Sequence, residues 1–179
     1  MAPDRLPAHD ADGQLRAVVE ASQGSRNKLK YDPELGVFAL HKVLPLGCAF
    51  PFDFGFVPST RGDDGDPLDV LLLMDEPVPV GGVVACRLVG VIEAQQTQPG
   101  KKPLRNDRLL AVSALSHRHR GCTTLADLGA GLLDEIERFF VFYNAQQGIV
   151  FEPLARRGVR EARRLVAAGC KAFSAGDAG

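Results

Sequence analysis

Tryptophan is absent from the 179-residue chain, and tyrosine and methionine occur only twice each. A single-strand nucleic-acid surface needs exposed aromatics between basic residues, so this composition speaks against one. Neither sign of charge is in excess: 21 Lys and Arg face 22 Asp and Glu, for a formal net charge of −1. Bulk attraction to nucleic acid or to an acidic membrane surface is therefore not expected. The four cysteines, Cys48, Cys86, Cys122 and Cys170, are far apart and form no Cys-x-x-Cys pair, which argues against a thiolate zinc cluster. No apolar run approaches the ~20 residues of a membrane span. The opening MAPDRLPAHDADG is polar and acidic, unlike a secretory signal. The expectation is a cytoplasmic protein with reduced thiols.

What is present reads as one domain. Residues 1–13 form a flexible polar arm and residues 14–179 a single domain. LRAVVEAS (15–22) reads as a strand that ends on Glu20, and GSRNKLKYD as a loop and short strand. GVFALHKVL (36–44) is a further strand, and FPFDFGFVP (50–58) alternates aromatics with a period of two. LDVLLLM (68–74) is a continuous apolar run, as in a strand buried on both faces. GGVVACRLVGVIEAQQ (81–96) and DRLLAVSAL (107–115) complete the strands. The pattern then changes. Leu132, Leu133, Ile136, Phe139, Phe140 and Tyr143 recur at three and four, predicting a helix over 127–148 with Gly148 as its C-cap. GVREARRLVAAGCKAFSAG predicts a second helix, with Val159, Ala162, Val166, Cys170 and Phe173 on one side and a basic, solvated face opposite. Strands followed by helices predict a mainly β, α+β fold: a small barrel with helices packed outside.

The chemistry concentrates in RGDDGDPLDVLLLM (61–74). Several carboxylates crowd the mouth of a strand built to be buried, and something positive must offset them. Gly65 permits a tight turn and Pro67 fixes φ at the strand entrance. Asp64 and Asp66 point to one side of an extended segment, and a turn at Pro67 brings Asp69 alongside. Three carboxylates make a hard-oxygen cage suited to Mg²⁺ or Mn²⁺. An EF-hand is excluded, because its sixth and twelfth positions counted from Asp64 hold Asp69 and Asp75. The competing reading is a solvated acidic turn, and the apolar run that follows argues against full solvation. His117 and His119 in SHRHRG lack a third ligand nearby and read as a surface loop, and GKKPLRNDR reads as a largely solvated basic hairpin tip.

DGDPLDV resembles the signature of the soluble family I inorganic pyrophosphatases. VVEASQGSRNK, FPFDFGFVPST, LVGVIEA, RNDRLLAV and IERFFVFYN resemble further family segments in the right order, over residues ~14 to ~148. The resemblance implies an OB-like five-stranded barrel with flanking helices, Mg²⁺-dependent hydrolysis of pyrophosphate, and a homo-oligomer, hexameric in many bacterial relatives. It implies that Asp64, Asp69 and Asp66 ligate metal and that Asp66 also takes the proton from the attacking water. Glu20 and Asn106 stand behind the ligands, or Glu20 meets an ion through water. Lys28 and Tyr143 hold phosphate groups.

The departures from the family pattern carry their own expectations. Lys30 stands where the family has a Glu, Lys42 where it has a phosphate-binding Arg, Phe54 where it has a Tyr, and Arg108 where it has a phosphate-binding Lys, so Lys42 and Arg108 are expected to bind substrate. Gln96 and Asn106 replace metal-binding Asp residues, and Asn144 replaces a Lys. The site is then about three charge units more positive than usual, with each contact at ~4 Å worth ~4 kcal/mol at an effective dielectric near 20. A full set of divalent ions is expected to bind less readily. The acidic core keeps one or two ions, and Lys30 takes over part of a lost metal's work on phosphate. Asp107 becomes a ligand in place of Asn106 only if the strand register slips. The alternative to an efficient enzyme is a relative with low or altered activity that serves as an anion-binding or interaction module.

Overall fold

The structure, a computed structural model, describes residues 2–177. Leu15–Ala21 forms β1, Asn27–Asp32 β2, Val37–Val43 β3, Asp53–Phe56 β4 and Asp69–Leu73 β5. Val83–Thr97 forms β6, Leu104–Arg105 β7, Arg108–Ser113 β8 and Val150–Arg157 β9. The helices are α1, Ala130–Ala145, and α2, Val159–Asp177.

Strand β1 pairs with both β4 and β6, β4 with β5, β5 with β8, and β8 with β6. That circuit closes five strands into an OB-like barrel, parallel only at β5–β8. The fold class expected from the sequence is the one observed. The long β6 runs beyond the barrel and carries β7 and β9. Strands β2 and β3 form a separate two-stranded sheet.

The apolar run of β5 is explained by what covers each face. Leu71 and Leu73 join a cluster with Ile136 and Phe140 of α1. Val70 and Leu72 join another with Ala162 and Val166 of α2. Alternate residues of a strand face opposite ways, so a strand roofed on both sides needs apolar residues throughout. Each fully buried side chain of this size contributes about 1.5–3 kcal/mol. The acids therefore stand at the entrance of a strand packed on both faces, which anchors their backbone.

Several boundaries differ from the sequence reading. Only Asp53–Phe56 of the segment 50–58 is a strand. Pro51 and Pro58 cannot donate to a ladder, and the Asp53 carboxylate accepts the N–H groups of Gln23 at 2.6 Å and Val78 at 2.8 Å. Gly55 has no alternative, because a Cβ there would lie 1.9 Å from the Val18 carbonyl oxygen. Residues Leu125–Leu128 form a 3-10 turn held by a Thr124–Asp127 capping box, so α1 starts at Ala130. The helix ends at Ala145, and Gly148 lies beyond it in a turn, with φ 68° and its N–H on the Ala145 carbonyl at 3.0 Å.

Strand β9 is not predicted by the sequence pattern, because Pro153 interrupts it. It is tolerated because β9 is an edge strand with a register shift at that point. Arg156 ties β9 to α1, reaching Glu137 at 2.7 Å and Asp134 at 2.5 Å. In the N-terminal segment, the Ala8 carbonyl accepts the Arg16 N–H at 2.8 Å and the Asp4 carbonyl accepts the Ser59 N–H at 2.8 Å.

Candidate active site

The acidic turn is built by its own backbone. Gly62 donates its N–H to the Asp66 carbonyl at 2.7 Å, and Gly65 to the Gly62 carbonyl at 3.1 Å with φ 88°. The Asp64 carboxylate accepts the Asp66 N–H at 3.1 Å. Thr60 closes the base: its hydroxyl donates to the Val57 carbonyl at 2.6 Å and accepts the Leu68 N–H at 3.0 Å. Asp64 and Asp66 thus project from a closed turn, and Asp69 is the first residue of β5.

One cavity of ≈ 330 Å³ collects the residues singled out above: Asp64, Asp66, Asp69, Glu20, Lys28, Lys30, Lys42, Arg108, Asn106 and Tyr143. They arrive from β1, the β2–β3 hairpin, the acidic turn, β5, β8 and α1. Gln96, Phe54 and Asn144 line it as well. Among the described residues no three His, Cys, Asp or Glu side chains stand grouped as a metal cluster. Two of the three aspartates rest on cations. Lys30 Nζ meets Asp66 Oδ1 at 2.7 Å, and Arg108 meets Asp69 at 2.7 Å. Asp64 carries no ion pair among the described residues. Its pKa is raised, by burial first, against the opposing Asp66 N–H.

The two cation–carboxylate pairs differ in depth. Lys30 and Asp66 are 40% and 58% exposed, so their pair is worth little and opens easily. The Arg108 side chain is 4% exposed and lies over the rings of Phe140 and Phe151 at 5.0 and 5.1 Å. Its guanidinium also donates to the Asn106 and Asp107 carbonyls and to the Asn106 side-chain oxygen. Asn106 donates to Gln96 Oε1 at 3.0 Å. Gln96 thus braces Asn106, and Asn106 in turn holds Arg108.

At a similar depth, Lys28 meets Glu20 at 3.2 Å and sits 4.7 Å above the Phe54 ring. Burial opposes the Lys28 charge, but Glu20 and Asp69 outweigh it and push its pKa up. Glu20 is also pushed up, by burial first; Lys28 opposes the rise and the nearby acid Asp69 adds to it. Lys42 is lowered, by burial and then by Lys28, and stands over the Tyr143 ring at 5.7 Å. The buried Tyr143 hydroxyl bonds Gln147, and burial raises its pKa.

The remaining candidates separate from this cavity. Asp107 keeps to the other side of the strand, where it accepts the Ala94 N–H at 2.9 Å and pairs with Arg105 at 2.9 Å. It lines a second groove of ≈ 390 Å³ behind the acidic turn. That groove is the larger, but Arg105 there already pairs with Glu93 and Asp107. His117 and His119 lie in a surface turn capped by Asp75. Lys101 and Lys102, read from the sequence as mainly solvated, line the first cavity. The sequence holds no signal of which way they point, because only the pairing of β6 with β7 and β9 aims the tip.

A profile of the inorganic pyrophosphatase family matches residues 17–174. The chain belongs to the inorganic pyrophosphatase family. An inorganic pyrophosphatase of Nostoc sp. is 36% identical over 169 residues, covering 94% of this chain and 97% of that protein. The crystal structure of the Thermus thermophilus inorganic pyrophosphatase superposes with a TM-score of 0.88 at 31% identity, covering 97% of this chain and 99% of that one. The Helicobacter pylori pyrophosphatase superposes with a TM-score of 0.84 at 31% identity, covering 94% and 98%. These pyrophosphatases span nearly the same length as this chain.

Proposed function

We infer that the chain is an inorganic diphosphatase, hydrolysing pyrophosphate to two phosphates. The observation that carries this is one cavity, in a member of this family, in which three aspartates meet Lys28, Lys42, Arg108 and Tyr143. Phosphoryl transfer asks little covalent work of a protein and much positioning and charge neutralisation. Lys28, Lys42 and Arg108 supply fixed positive charge for the phosphate oxygens, and Tyr143 a hydroxyl donor. Asp66 is the proton acceptor. Lys30 occupies only its Oδ1, and a carboxylate has a second oxygen free to accept. An arriving phosphate competes with Asp66 for Lys30, and the exposed pair yields at small cost. Phe140 and Phe151 hold Arg108 in place and keep water from its back.

The oxygen-only donors suit a hard divalent ion, Mg²⁺ or Mn²⁺. Asp64, with no cation on it, is the natural first ligand, with Asp66 and Asp69 beside it. Such an ion neutralises phosphate charge and acidifies the attacking water. The setting proposed is the cytoplasm, with the chain as a homo-oligomer.

A second reading is an anion-binding relative with low or altered turnover. The Lys30–Asp66 and Arg108–Asp69 pairs favour it, since they engage two of the three aspartates. Orthophosphate release from pyrophosphate, with Mg²⁺ or Mn²⁺ and beside p-nitrophenyl phosphate, separates the two. The enzyme reading expects turnover of pyrophosphate and little of the monoester. Folded protein that releases no phosphate from pyrophosphate with either ion supports the second reading.

A further inference from the structure

Six cations line the cavity, Lys28, Lys30, Lys42, Lys101, Lys102 and Arg108, against four acids, Glu20, Asp64, Asp66 and Asp69. Three of the cations are matched: Lys28 by Glu20, Lys30 by Asp66 and Arg108 by Asp69. Among the described residues Lys101 and Lys102 form no ion pair, and both are exposed. The cavity thus carries unspent positive charge at its outer rim, on an element that supplies none of the residues assigned above to pyrophosphate.

That element is a built one. Gln98-Pro99-Gly100-Lys101 forms a turn in which the Lys101 N–H donates to the Gln98 carbonyl at 3.0 Å and Gly100 has φ 72°. Pro at the second position and a positive-φ Gly at the third are what a type II turn requires. The stem is paired on both sides, Gln96 with Leu104 of β7 and Thr97 with Val150 of β9. A rigid tip loses little entropy when its lysines take an anion.

We propose that Lys101 and Lys102 form an outer subsite for a third phosphate, so that the cavity takes a linear triphosphate as well as pyrophosphate. The proposal rests on the pyrophosphatase reading for its inner two positions. Lys28, partly buried, and Arg108, buried, are the inner cations of the cavity; with two phosphate groups on them, a longer chain extends outward to the exposed tip. The tip then discriminates by chain length, because pyrophosphate held on the floor gains less from it than a third phosphate does.

The test is calorimetric binding of inorganic tripolyphosphate and pyrophosphate to metal-free protein, where no turnover occurs. Wild type, Lys101→Ala/Lys102→Ala and the distant charge control Lys171→Ala are compared. Charge-assisted contacts at an exposed rim correspond to about tenfold in affinity. Wild type is expected to bind tripolyphosphate about tenfold more tightly than pyrophosphate, and the double variant to lose that preference. Both substitutions remove exposed side chains and leave the turn intact, so the fold is retained. Equal affinities in wild type overturn the proposal. So does an equal loss for both ligands, or the same change in Lys171→Ala, since either marks undirected surface charge. Phosphate release from pyrophosphate by wild type is measured in parallel. Its absence overturns the parent reading, while the binding ratio still decides the subsite.

Discussion

Replacing Arg108 by Met removes the guanidinium from Asp69 while keeping an unbranched apolar stem against Phe140 and Phe151. Breaking a buried pair from one side costs about 3–5 kcal/mol, because the remaining charge is left uncompensated. The Asp69 side chain is 17% exposed and opens on the cavity, so water recovers part of this, leaving about 2–3 kcal/mol. The Asn106 and Asp107 carbonyls lose a donor as well. Removing both charges is a different matter. Arg108→Met/Asp69→Asn leaves neither member of this pair as an uncompensated charge, and Arg108 Nε has no hydrogen-bond partner to lose. The double variant should therefore be more stable than Arg108→Met alone. Urea unfolding of the four proteins in chelator gives the cycle, with a coupling energy of about 2 kcal/mol expected. Single effects that add within about 0.5 kcal/mol would refute the view that Arg108 and Asp69 interact as a largely buried pair.

Lys30→Gln should barely change stability, by about 0–1 kcal/mol for so exposed a pair. It should strengthen Mg²⁺ binding severalfold in calorimetry, and weaker Mg²⁺ binding contradicts the charge argument. Asp75 is held down to about 2 from an ordinary 3.8 by the Ser116 hydroxyl first and then the His117 N–H. The unfolded chain takes up this proton first, so the stabilisation is present above about pH 4 and is lost as pH falls through about 2. Asp75→Asn should flatten the acid limb of stability in that window, and an unchanged limb contradicts the assignment. Gly55→Ala forces a Cβ to 1.9 Å from the Val18 carbonyl. A loss of several kcal/mol, read as insoluble or unfolded protein, is expected, and a soluble variant of wild-type stability contradicts it.

The barrel and the site were legible in the sequence to different depths. LDVLLLM announced a strand covered on both faces, because burial of that kind leaves no room for alternation. The apolar spacing from Leu132 to Tyr143 likewise gave the helix face that closes the cavity. Asp64, Asp66 and Asp69 could be grouped because a short turn joins them. Lys30 and Asp66 could not be paired, since they lie 36 residues apart and only the docking of the β2–β3 hairpin brings them together. The same holds for Arg108 on Asp69, whose strands are joined by parallel pairing across a long crossover. Pro153 hid β9, because a proline weighs against a strand unless the edge and the bulge are known. Lys101 and Lys102 look like solvated charge until the pairing of β6 with β7 and β9 shows which way their tip is aimed.

The most direct test of the account is phosphate release from pyrophosphate by wild type and Asp66→Asn, with Mg²⁺ and protein of verified fold. Asn retains the shape and one acceptor of Asp66 but cannot take a proton as a carboxylate does. The account predicts turnover in wild type and a loss of about 10²–10⁴-fold in the variant, the range typical of a lost general base. Equal turnover by the two proteins would contradict the role given to Asp66 and move proton acceptance elsewhere in the cavity.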